Sequence, residues 1–454
     1  MTIPAATTDA SAQSTHAPAG TSARTVLVLL FLINLLNFYD RQIIAAVTEP
    51  VRMEFGLSDA AIGWLGTAFT LFYAAVGLPL GRLADRMSRT RLLGYGVAAW
   101  SVCTAASGLA FNYASLFAAR MGVGLGEASC SPAANSLIAD LYPSARRARA
   151  LSLFMLGLPI GIFLSAVGSG LIAKAYGWRV AFFVATVPGL VLAYAIARLT
   201  DPARAVVSPA SAKIAATGRA HSASFWAPYL ALWRIPTLRW IVLSGALHNF
   251  NSYAVNAFMP AYLGRYHGLA LAQANIAAGV TLGLVGVAAL LFGGAAADRS
   301  RRWRPNGRLL LGALAMAVGS PCVYIALSLA PGRVLPFMAL MGLGWMCFYL
   351  YYATVYASIH DIVPSTLRGT AMAVYFFWMY VLGGAFGTAV LGTLSDRFAR
   401  RAMLADGATA LSERYRAAGL HEAFYVVPTI LALLALVLFA ASRTVAKDLR
   451  ESDS

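Results

Sequence analysis

Long apolar runs recur along almost the entire chain, and they restrict its fold more than any other feature. Each run reaches about 20 residues, enough for a helix to cross the hydrocarbon core of a bilayer. A helix is expected there because its backbone hydrogen bonds are satisfied within the segment. Of the 454 residues, 59% are hydrophobic and only 12% are charged, whereas soluble domains carry about 25% charged residues. The sequence therefore predicts an all-α polytopic membrane protein.

The apolar runs predict twelve membrane-spanning helices. Their approximate limits are 25–47, 60–80, 92–111, 114–140, 150–173, 179–198, 237–263, 272–296, 308–330, 334–359, 368–394 and 421–441. An even number of spans places both termini on one side of the membrane. Short basic clusters lie in alternate loops on that side, which is the pattern of cytoplasmic loops. The predicted outer loop 397–420 is an exception because it carries Arg397, Arg400, Arg401, Arg414 and Arg416.

The spans form two sets of six, separated by a polar segment. We predict a disordered cytoplasmic tail, an N-terminal six-helix bundle, a cytoplasmic linker, a C-terminal six-helix bundle and a second cytoplasmic tail. Their limits are 1–23, 24–198, 199–235, 236–443 and 444–454. The end of the linker, near Phe225–Trp233, is expected to form a short interfacial helix. Only three of the 35 basic residues are Lys, a bias typical of GC-rich bacterial genomes, so we expect a bacterial inner membrane.

Two loops of the first half have counterparts in the second half. The run 81–86, GRLADR, matches the run 294–299, GAAADR, and the two Asp residues are 213 positions apart. The run Asp140-Leu-Tyr-Pro143 matches Asp361-Ile-Val-Pro364 at a distance of 221 positions. Two matches at nearly one spacing indicate duplication of a six-helix unit, as in transporters built from repeats.

The first of these loops resembles the motif between the second and third helices of the major facilitator superfamily. The resemblance implies two pseudo-symmetric six-helix bundles. It also implies that Asp85 lies beside the start of the eleventh helix, whose positive end attracts it until the protein opens to the cytoplasm. The predicted cytoplasmic gate comprises Gly81, Asp85, Arg86, Arg89, Asp298, Arg299, Arg147 and Arg368. The alternative is that these charges only mark the cytoplasmic side.

Four charged residues lie well inside predicted spans, where burial of a charge costs about 3 kcal/mol or more. They are Asp40 and Arg41 in the first span and Arg120 and Glu127 in the fourth. Two helical turns separate Arg120 from Glu127, which puts them on nearly one face. A carboxylate beside a movable arginine can bind and release a proton, so we predict proton coupling and gating at these four residues. The alternative is a static ion-pair network that holds the two helices together.

Polar and aromatic side chains enrich the second half, where no acidic residue lies deep in a span. The first half is therefore expected to handle charge, and the second to contact an amphiphilic substrate. The predicted substrate contacts are Arg120, Glu127, Asn37, His248, Asn249, Asn256, Tyr352, Tyr356 and Trp378. For each aromatic residue, packing between helices is the alternative.

Three stretches narrow the resemblance to the Spinster branch of the superfamily. They are NLLNFYDR at 34–41, RMGVGLGEA at 120–128, and ADLYP at 139–143 followed by Arg147 and Arg149. The resemblance implies a bacterial, proton-coupled transporter of lysolipids or sphingoid phosphates. It implies Asp40 and Glu127 as the proton or gating carboxylates, with Arg41 as the partner of Asp40. Arg120 would steer Glu127 or an anionic head group.

The predicted function is alternating-access transport of a lysolipid or sphingolipid-like amphiphile, with a proton gradient as driving force and no cofactor or metal. The alternative is a proton-coupled carrier of a small organic anion or drug-like amphiphile, because the first stretch is shared loosely with organic-anion transporters. The sequence has no HExxH or GxSxG motif, which argues against an enzyme. The net charge of +17 lies in loop clusters, so no nucleic-acid partner is expected. The expected partners are the substrate and membrane lipids, and the chain is expected to be a monomer.

Overall fold

The computed structural model describes residues 22–201, 227–364 and 367–453, and in these ranges the chain forms helices and no strand. Twelve long helices follow one another along the chain, as predicted. They are α1 (Ala23–Ala46), α2 (Asp59–Arg86), α3 (Arg89–Gly108), α4 (Tyr113–Glu127 and Cys130–Leu141), α5 (Ser144–Met155 and Gly157–Tyr176), α6 (Trp178–Ala197), α7 (Pro236–Arg265), α8 (Leu271–Ala278, Gly279–Leu284 and Val285–Trp303), α9 (Gly307–Leu327), α10 (Val334–Ile362), α11 (Arg368–Trp378, Met379–Gly384 and Ala385–Ala405) and α12 (Glu413–Phe424 and Val426–Asp453). Two shorter helices are Thr48–Phe55 and Ala227–Trp233.

Nine of these helices in the described ranges are both long and apolar enough to cross a membrane. The other three, α3, α4 and α7, carry more polar residues or are interrupted. Helix α3 lies against α4 and α6, and α7 lies against α11 and α12. Several of their polar side chains are buried, among them Thr104, Arg120 and His248.

Helices α1–α6 form the first bundle and α7–α12 form the second. We call the side that holds Ala23 and Asp453 the terminal side, because both described chain ends lie there. The side that holds the helix Thr48–Phe55 is called the distal side. The two bundles meet along α2 and α11 and along α5 and α8.

Matched ion pairs join helices within each bundle on the terminal side. In the first bundle, the Arg89 guanidinium pairs with Asp140, and also with Asp201 at 2.8 Å. In the second bundle, Arg308 pairs with Asp361 at 2.6 Å. The basic partners are 219 positions apart and the acidic partners 221 apart, so the structure repeats the spacing of the sequence motifs. The duplication therefore extends to the contacts that hold each bundle together.

Helix α4 is interrupted just after Glu127, at Ala128 and Ser129. The Ser129 hydroxyl donates to the Gly126 carbonyl at 2.8 Å. Pro132 then offers no N–H to the carbonyl four residues before it. The predicted fourth span is therefore two helical segments, and Glu127 is the last residue of the first.

The predicted outer loop 397–420 is wrong. Helix α11 continues to Ala405 and α12 already begins at Glu413, so most of this segment is helical. Gly419 allows the close approach, because a Cβ there would collide with the Ser395 backbone. The arginines of this segment thus lie on two packed helix ends on the distal side.

Helix α12 also extends farther than predicted, to Asp453. The Asp448 carboxylate accepts the backbone N–H of Thr237 at 2.9 Å, and the Thr237 and Thr444 hydroxyls are 2.6 Å apart. These bonds attach the end of α12 to the start of α7. They explain why a segment expected to be a tail is ordered as helix.

Part of the predicted organisation falls outside the described residues, namely 1–21 and 202–226. Near the predicted interfacial helix, the chain forms Ala227–Trp233. The limits of the domains stay predictions.

Helices α8 and α11 each contain one wide, π-helical turn, Gly279–Leu284 and Met379–Gly384. In the first of these turns, Gly283 packs directly against Phe163 of α5. Turns of this kind occur frequently at functional sites.

The crossing of α2 and α11 brings the backbones of the two bundles together on the distal side. A Cβ at Gly63 would collide with the Thr388 backbone, and a Cβ at Gly392 would collide with the Asp59 backbone. The Thr388 hydroxyl donates to the Gly63 carbonyl at 2.9 Å. The absence of side chains at the two glycines is therefore a condition for closing this side.

We expect Gly63→Val to destabilise the closed distal side, because overpacking costs about 1–3 kcal/mol. The purified protein should melt at a lower temperature than the wild type. Gly77→Val is the matched control on the same helix, since a Cβ at Gly77 meets no atom within 4 Å and the change in helix propensity is the same. Equal melting temperatures of the two variants would contradict the role of the glycine.

Candidate functional site

A buried ion pair joins α1 to α4. The Nε atom of Arg41 donates to Oε2 of Glu127 at 2.6 Å, and the two side chains are 8% and 0% exposed. Breaking such a pair leaves an uncompensated buried charge, which is strongly destabilising. The pair therefore links α1 to α4 as long as both side chains are ionised.

Aromatic rings surround the Arg41 guanidinium. Its Cζ atom lies 4.4 Å from the ring centre of Tyr73, and 5.2 and 5.3 Å from those of Phe38 and Phe69. A ring face attracts a cation most when water is excluded. These rings stabilise a positive charge whose burial in hydrocarbon alone would be unfavourable.

Asp40 and Arg120 lie beside the ion pair without joining it. The Thr104 hydroxyl donates to Asp40 at 3.4 Å, and Trp100 also faces this carboxylate. Arg120 reaches the backbone carbonyl of Asp40 at 3.4 Å and lies 5.4 Å from the ring centre of Phe69. All four predicted charged residues are thus brought together.

The partner implied for Arg41 differs from the one observed. Adjacent residues of a helix point about 100° apart. Asp40 therefore faces α3 while Arg41 faces α4, and the ion pair forms with Glu127 instead of Asp40.

Each of the two carboxylates has one oxygen that accepts no hydrogen bond of ordinary length from a described residue. These atoms are Oδ1 of Asp40 and Oε1 of Glu127. The amide of Asn37 faces Glu127 from the preceding turn of α1. A buried carboxylate oxygen in this state is an available position for a proton.

His248 lies within the second bundle. Its ring is stacked between Phe348 and Tyr351, with centroids 3.9 and 4.0 Å away, and Nε2 is 3.3 Å from the Phe348 carbonyl. The side chain is fully buried. Its role as a substrate contact stays a prediction.

The two predicted asparagines occupy different places. Asn249 donates to the Met379 carbonyl in the wide turn of α11, at 3.2 Å. Asn256 donates to the Ser252 carbonyl at 2.7 Å and lines a small cavity between the bundles, opposite Ala46. Of the two, Asn256 is the one at the interface of the bundles.

The predicted aromatic contacts belong to a network of rings in the second bundle. Tyr352 and Tyr356 are half-buried, with ring centres 5.5 Å apart, and Tyr356 is 5.7 Å from Phe376. Trp378 lies 6.4 Å from Trp233 of the short helix before α7. Substrate contact by these rings remains a prediction.

The predicted cytoplasmic gate falls partly on side chains that the structure does not describe, those of Gly81, Asp85, Arg86, Arg147 and Arg368. Arg89 pairs inside the first bundle. Asp298 pairs with Arg308 at 2.8 Å, and Arg299 lies 5.1 Å from the Trp303 ring centre. The described members therefore contact residues of their own bundle.

A network of ion pairs on the distal side was missed by sequence reasoning. Arg265, at the end of α7, pairs with Glu49 at 2.5 Å and with Asp59 at 2.7 Å. Arg265 is 4% exposed and Asp59 is 1% exposed. The arginine comes from the second bundle and both carboxylates come from the first. We call Arg265, Glu49 and Asp59, together with Arg52 and Glu413, the distal network.

The remaining contacts strengthen the same closure. Arg52 pairs with Glu413 of α12 at 2.8 Å and with Glu49 at 3.0 Å. The Asp396 carboxylate accepts the first backbone N–H groups of α2 at 2.9 and 3.1 Å, where the helix dipole favours a negative charge. The distal side is therefore closed by charge as well as by the helix crossing.

Residues 30–388 match the Major Facilitator Superfamily. The chain belongs to this superfamily. It is thus a multi-pass membrane transporter and not an enzyme. Its repeat of six helices and the resemblance of its first loop agree with this assignment.

The relatives include Spinster proteins and an efflux pump. An MFS-type efflux pump of Mycolicibacterium smegmatis is 29% identical over 87% of this chain and 89% of its own length. Protein spinster homolog 1 of Rattus norvegicus is also 29% identical, over 83% of this chain and 73% of its own length. The predicted resemblance to Spinster proteins is therefore confirmed.

The fold is similar to a solved structure of a bacterial homolog to the human lysosomal transporter Spinster. That structure is in an inward-facing and unoccupied conformation. Its TM-score is 0.82 at 26% identity, covering 94% of this chain and 98% of the other.

We expect Arg265→Gln to open the distal side, because it leaves Asp59 without its ion-pair partner and Glu49 with Arg52 alone. Loss of one partner of a buried pair costs about 3–5 kcal/mol. The measurement is the labelling rate of Ala46→Cys by a membrane-impermeant maleimide, with Cys103, Cys130, Cys322 and Cys347 replaced. Ala46 is buried, and its carbonyl accepts from Asn275 of the second bundle at 2.9 Å.

Arg179→Gln is the control for this experiment. Arg179 pairs with Glu54 on the distal side, but the two side chains are 37% and 41% exposed and belong to one bundle. Hydrogen bonds from Arg179 and Trp178 lower the pKa of Glu54, yet an exposed pair contributes only about 0–1 kcal/mol. Labelling should therefore stay at the wild-type rate, and an equal rate in Arg265→Gln would argue against the distal network.

Proposed function

We propose that this protein is a proton-coupled secondary transporter that works by alternating access on an amphiphilic lysolipid or sphingolipid-like substrate. One observation carries the proposal: the Arg41–Glu127 ion pair is buried next to a second carboxylate and a second arginine. A transporter keeps charged groups at such depth where they serve substrate or ion movement. A proton on Glu127 would cancel the charge that holds Arg41.

The charged and titratable groups that face Glu127 come from three helices. They are Asp40 and Arg41 of α1, Arg120 and Cys130 of α4, and Tyr253 of α7, with the Asn37 amide beside them. A change in the protonation of Glu127 thus acts on its own bundle and on a helix of the other. This is the physical requirement for coupling proton binding to a movement of the bundles.

The charge of the site supports a substrate with an anionic or zwitterionic head group. Arg120 is buried, and its nearest hydrogen-bond acceptor is a backbone carbonyl at 3.4 Å, so it has no close carboxylate partner among the described residues. A phosphate group would offer better acceptors. Aromatic side chains of the second bundle, such as Tyr352 and Tyr356, would then contact the apolar chain of the substrate. The similarity to Spinster proteins agrees with this substrate class.

A second candidate is a proton-coupled carrier of a small organic anion or a drug-like amphiphile. The observation in its favour is the 29% identity to an MFS-type efflux pump. Both candidates use the same buried arginine, but only the first needs a long apolar path. Competition between a lysolipid and a short organic phosphate for transport would separate them.

We further propose that the terminal side faces the cytoplasm of a bacterium and that the protein acts as a monomer in the inner membrane. The clusters Arg89–Arg91 and Arg299–Arg304 lie on the terminal side, which agrees with the distribution of basic residues in membrane proteins. Maleimide labelling of Ser300→Cys in intact cells and in inverted vesicles tests this orientation.

Glu127→Gln is expected to fold and insert but to transport without dependence on pH, because the side chain keeps its shape and loses its titrating proton. Uptake of a fluorescent lysophospholipid into proteoliposomes, with and without an imposed proton gradient, measures this effect. Glu422→Gln is the control, since Glu422 is exposed on the distal part of α12. Proton-driven uptake that persists in Glu127→Gln would remove the coupling role.

Arg120→Ala is expected to weaken transport of an anionic lysolipid about tenfold or more, because a charge-assisted hydrogen bond contributes about 1.5–3 kcal/mol. A zwitterionic lysolipid of the same chain length should lose less, since its own cation partly neutralises the phosphate. The ratio of the two initial rates in proteoliposomes is the measurement, with Arg400→Ala on the exposed face of α11 as control. Equal losses for both lipids would identify Arg120 as a structural residue.

A further inference from the structure

Arg41 is the point at which the buried charges of the first bundle meet the second bundle. Tyr253 of α7 and Tyr380 of α11 face its guanidinium and lie close enough to interact with its charge. Tyr73 of α2 covers the guanidinium at 4.4 Å. Three tyrosines from both bundles thus converge on one cation.

The ring of Tyr380 contacts the rings of both other tyrosines. The ring centres of Tyr73 and Tyr380 are 5.4 Å apart, and those of Tyr253 and Tyr380 are 6.4 Å apart and perpendicular. Perpendicular rings at such distances attract each other. The cluster therefore connects α2 with α7 and α11, in addition to the link through Arg41.

The geometry of Arg41 allows it to serve both bundles at once. Its Nε atom is occupied by Glu127 at 2.6 Å. A guanidinium has five N–H donors in a rigid planar fork, so its two terminal nitrogens remain for Tyr253. A hydroxyl that accepts from one edge of the fork fixes the orientation of the edge that faces Glu127.

We propose that Tyr253 and Tyr380 are positioning residues that hold Arg41 on Glu127 only while the distal side is closed. The inference rests on the proposed role of Glu127 in proton coupling and names the groups that carry this role to the second bundle. When α7 and α11 move away from α1, Arg41 loses both tyrosines. The state of the ion pair and the closure of the distal side are then coupled.

Coupling of this kind is reciprocal. If closure of the distal side stabilises the Arg41–Glu127 pair, the intact pair stabilises closure by the same free energy. Protonation of Glu127 would release Arg41 and weaken its hold on Tyr253. The distal network around Arg265 would then hold the distal side closed without the help of Arg41.

The test uses the labelling rate of Ala46→Cys, in the otherwise cysteine-free chain, as the measure of distal opening. Tyr253→Phe keeps the ring and removes the hydroxyl that faces Arg41. We expect it to raise the labelling rate about fivefold or more, the usual lower range of a coupling between sites. Tyr349→Phe is the matched control, because Tyr349 is a buried tyrosine of the second bundle whose ring contacts are Phe348 and Tyr352.

A double-mutant cycle separates positioning from packing. In the Arg41→Gln background, Tyr253→Phe should leave the labelling rate unchanged, because the hydroxyl no longer has its cation. If Arg41→Gln does not fold, the cycle is run in Glu127→Gln, where the same substitution should have a smaller effect than in the wild type. An equal increase with and without the charged pair would overturn the proposal, and so would no increase in Tyr253→Phe and Tyr380→Phe.

The failure of this proposal can be told from a failure of proton coupling. Labelling reports distal opening and needs neither substrate nor a proton gradient. If Glu127→Gln keeps proton-driven uptake, the coupling role of Glu127 fails whatever the tyrosines do. If that uptake is lost but Tyr253→Phe labels at the wild-type rate, only the positioning role fails.

Discussion

The cost of placing charge in hydrocarbon governs the arrangement of this protein. Inside the membrane, Glu127 accepts from Arg41 and the aromatic rings cover the rest of the cation. On the distal side, Arg265 pairs with both Glu49 and Asp59. In both places the pairing partner comes from another helix. The buried charges can therefore be paired only if these helices pack side by side.

The depth of a residue within a span was visible in the sequence, but its partner was not. An acidic residue in the middle of an apolar run, such as Asp40 or Glu127, stands out by composition alone. Whether Arg41 pairs with Asp40 or with Glu127 depends on the rotation of α1 about its axis and on which helix lies next to it. Neither can be obtained from the spacing of residues within one span. The number and order of the helices, in contrast, follow directly from hydropathy.

The distal network could not be predicted from the sequence, for a different reason. Glu49, Asp59 and Arg265 are ordinary charges at the ends of predicted spans, where charge is common. Their convergence depends on how the two bundles meet. The pairs Arg89–Asp140 and Arg308–Asp361 lie within single bundles, and repeated motifs at one spacing pointed to both acidic partners. Contacts inside a bundle were thus partly predictable from internal repetition, and contacts between bundles were not.

The four buried charges have a consequence for the membrane potential. With both carboxylates and both arginines ionised, the site formed by Asp40, Arg41, Arg120 and Glu127 carries no net charge. Moving it through the electric field of the membrane then requires no electrical work. One added proton gives the site a charge of +1, and a full crossing of 100 mV corresponds to about 2.3 kcal/mol for such a charge. The membrane potential would therefore act on this site only if the proposed protonation occurs, and a bound anionic substrate would offset the added charge.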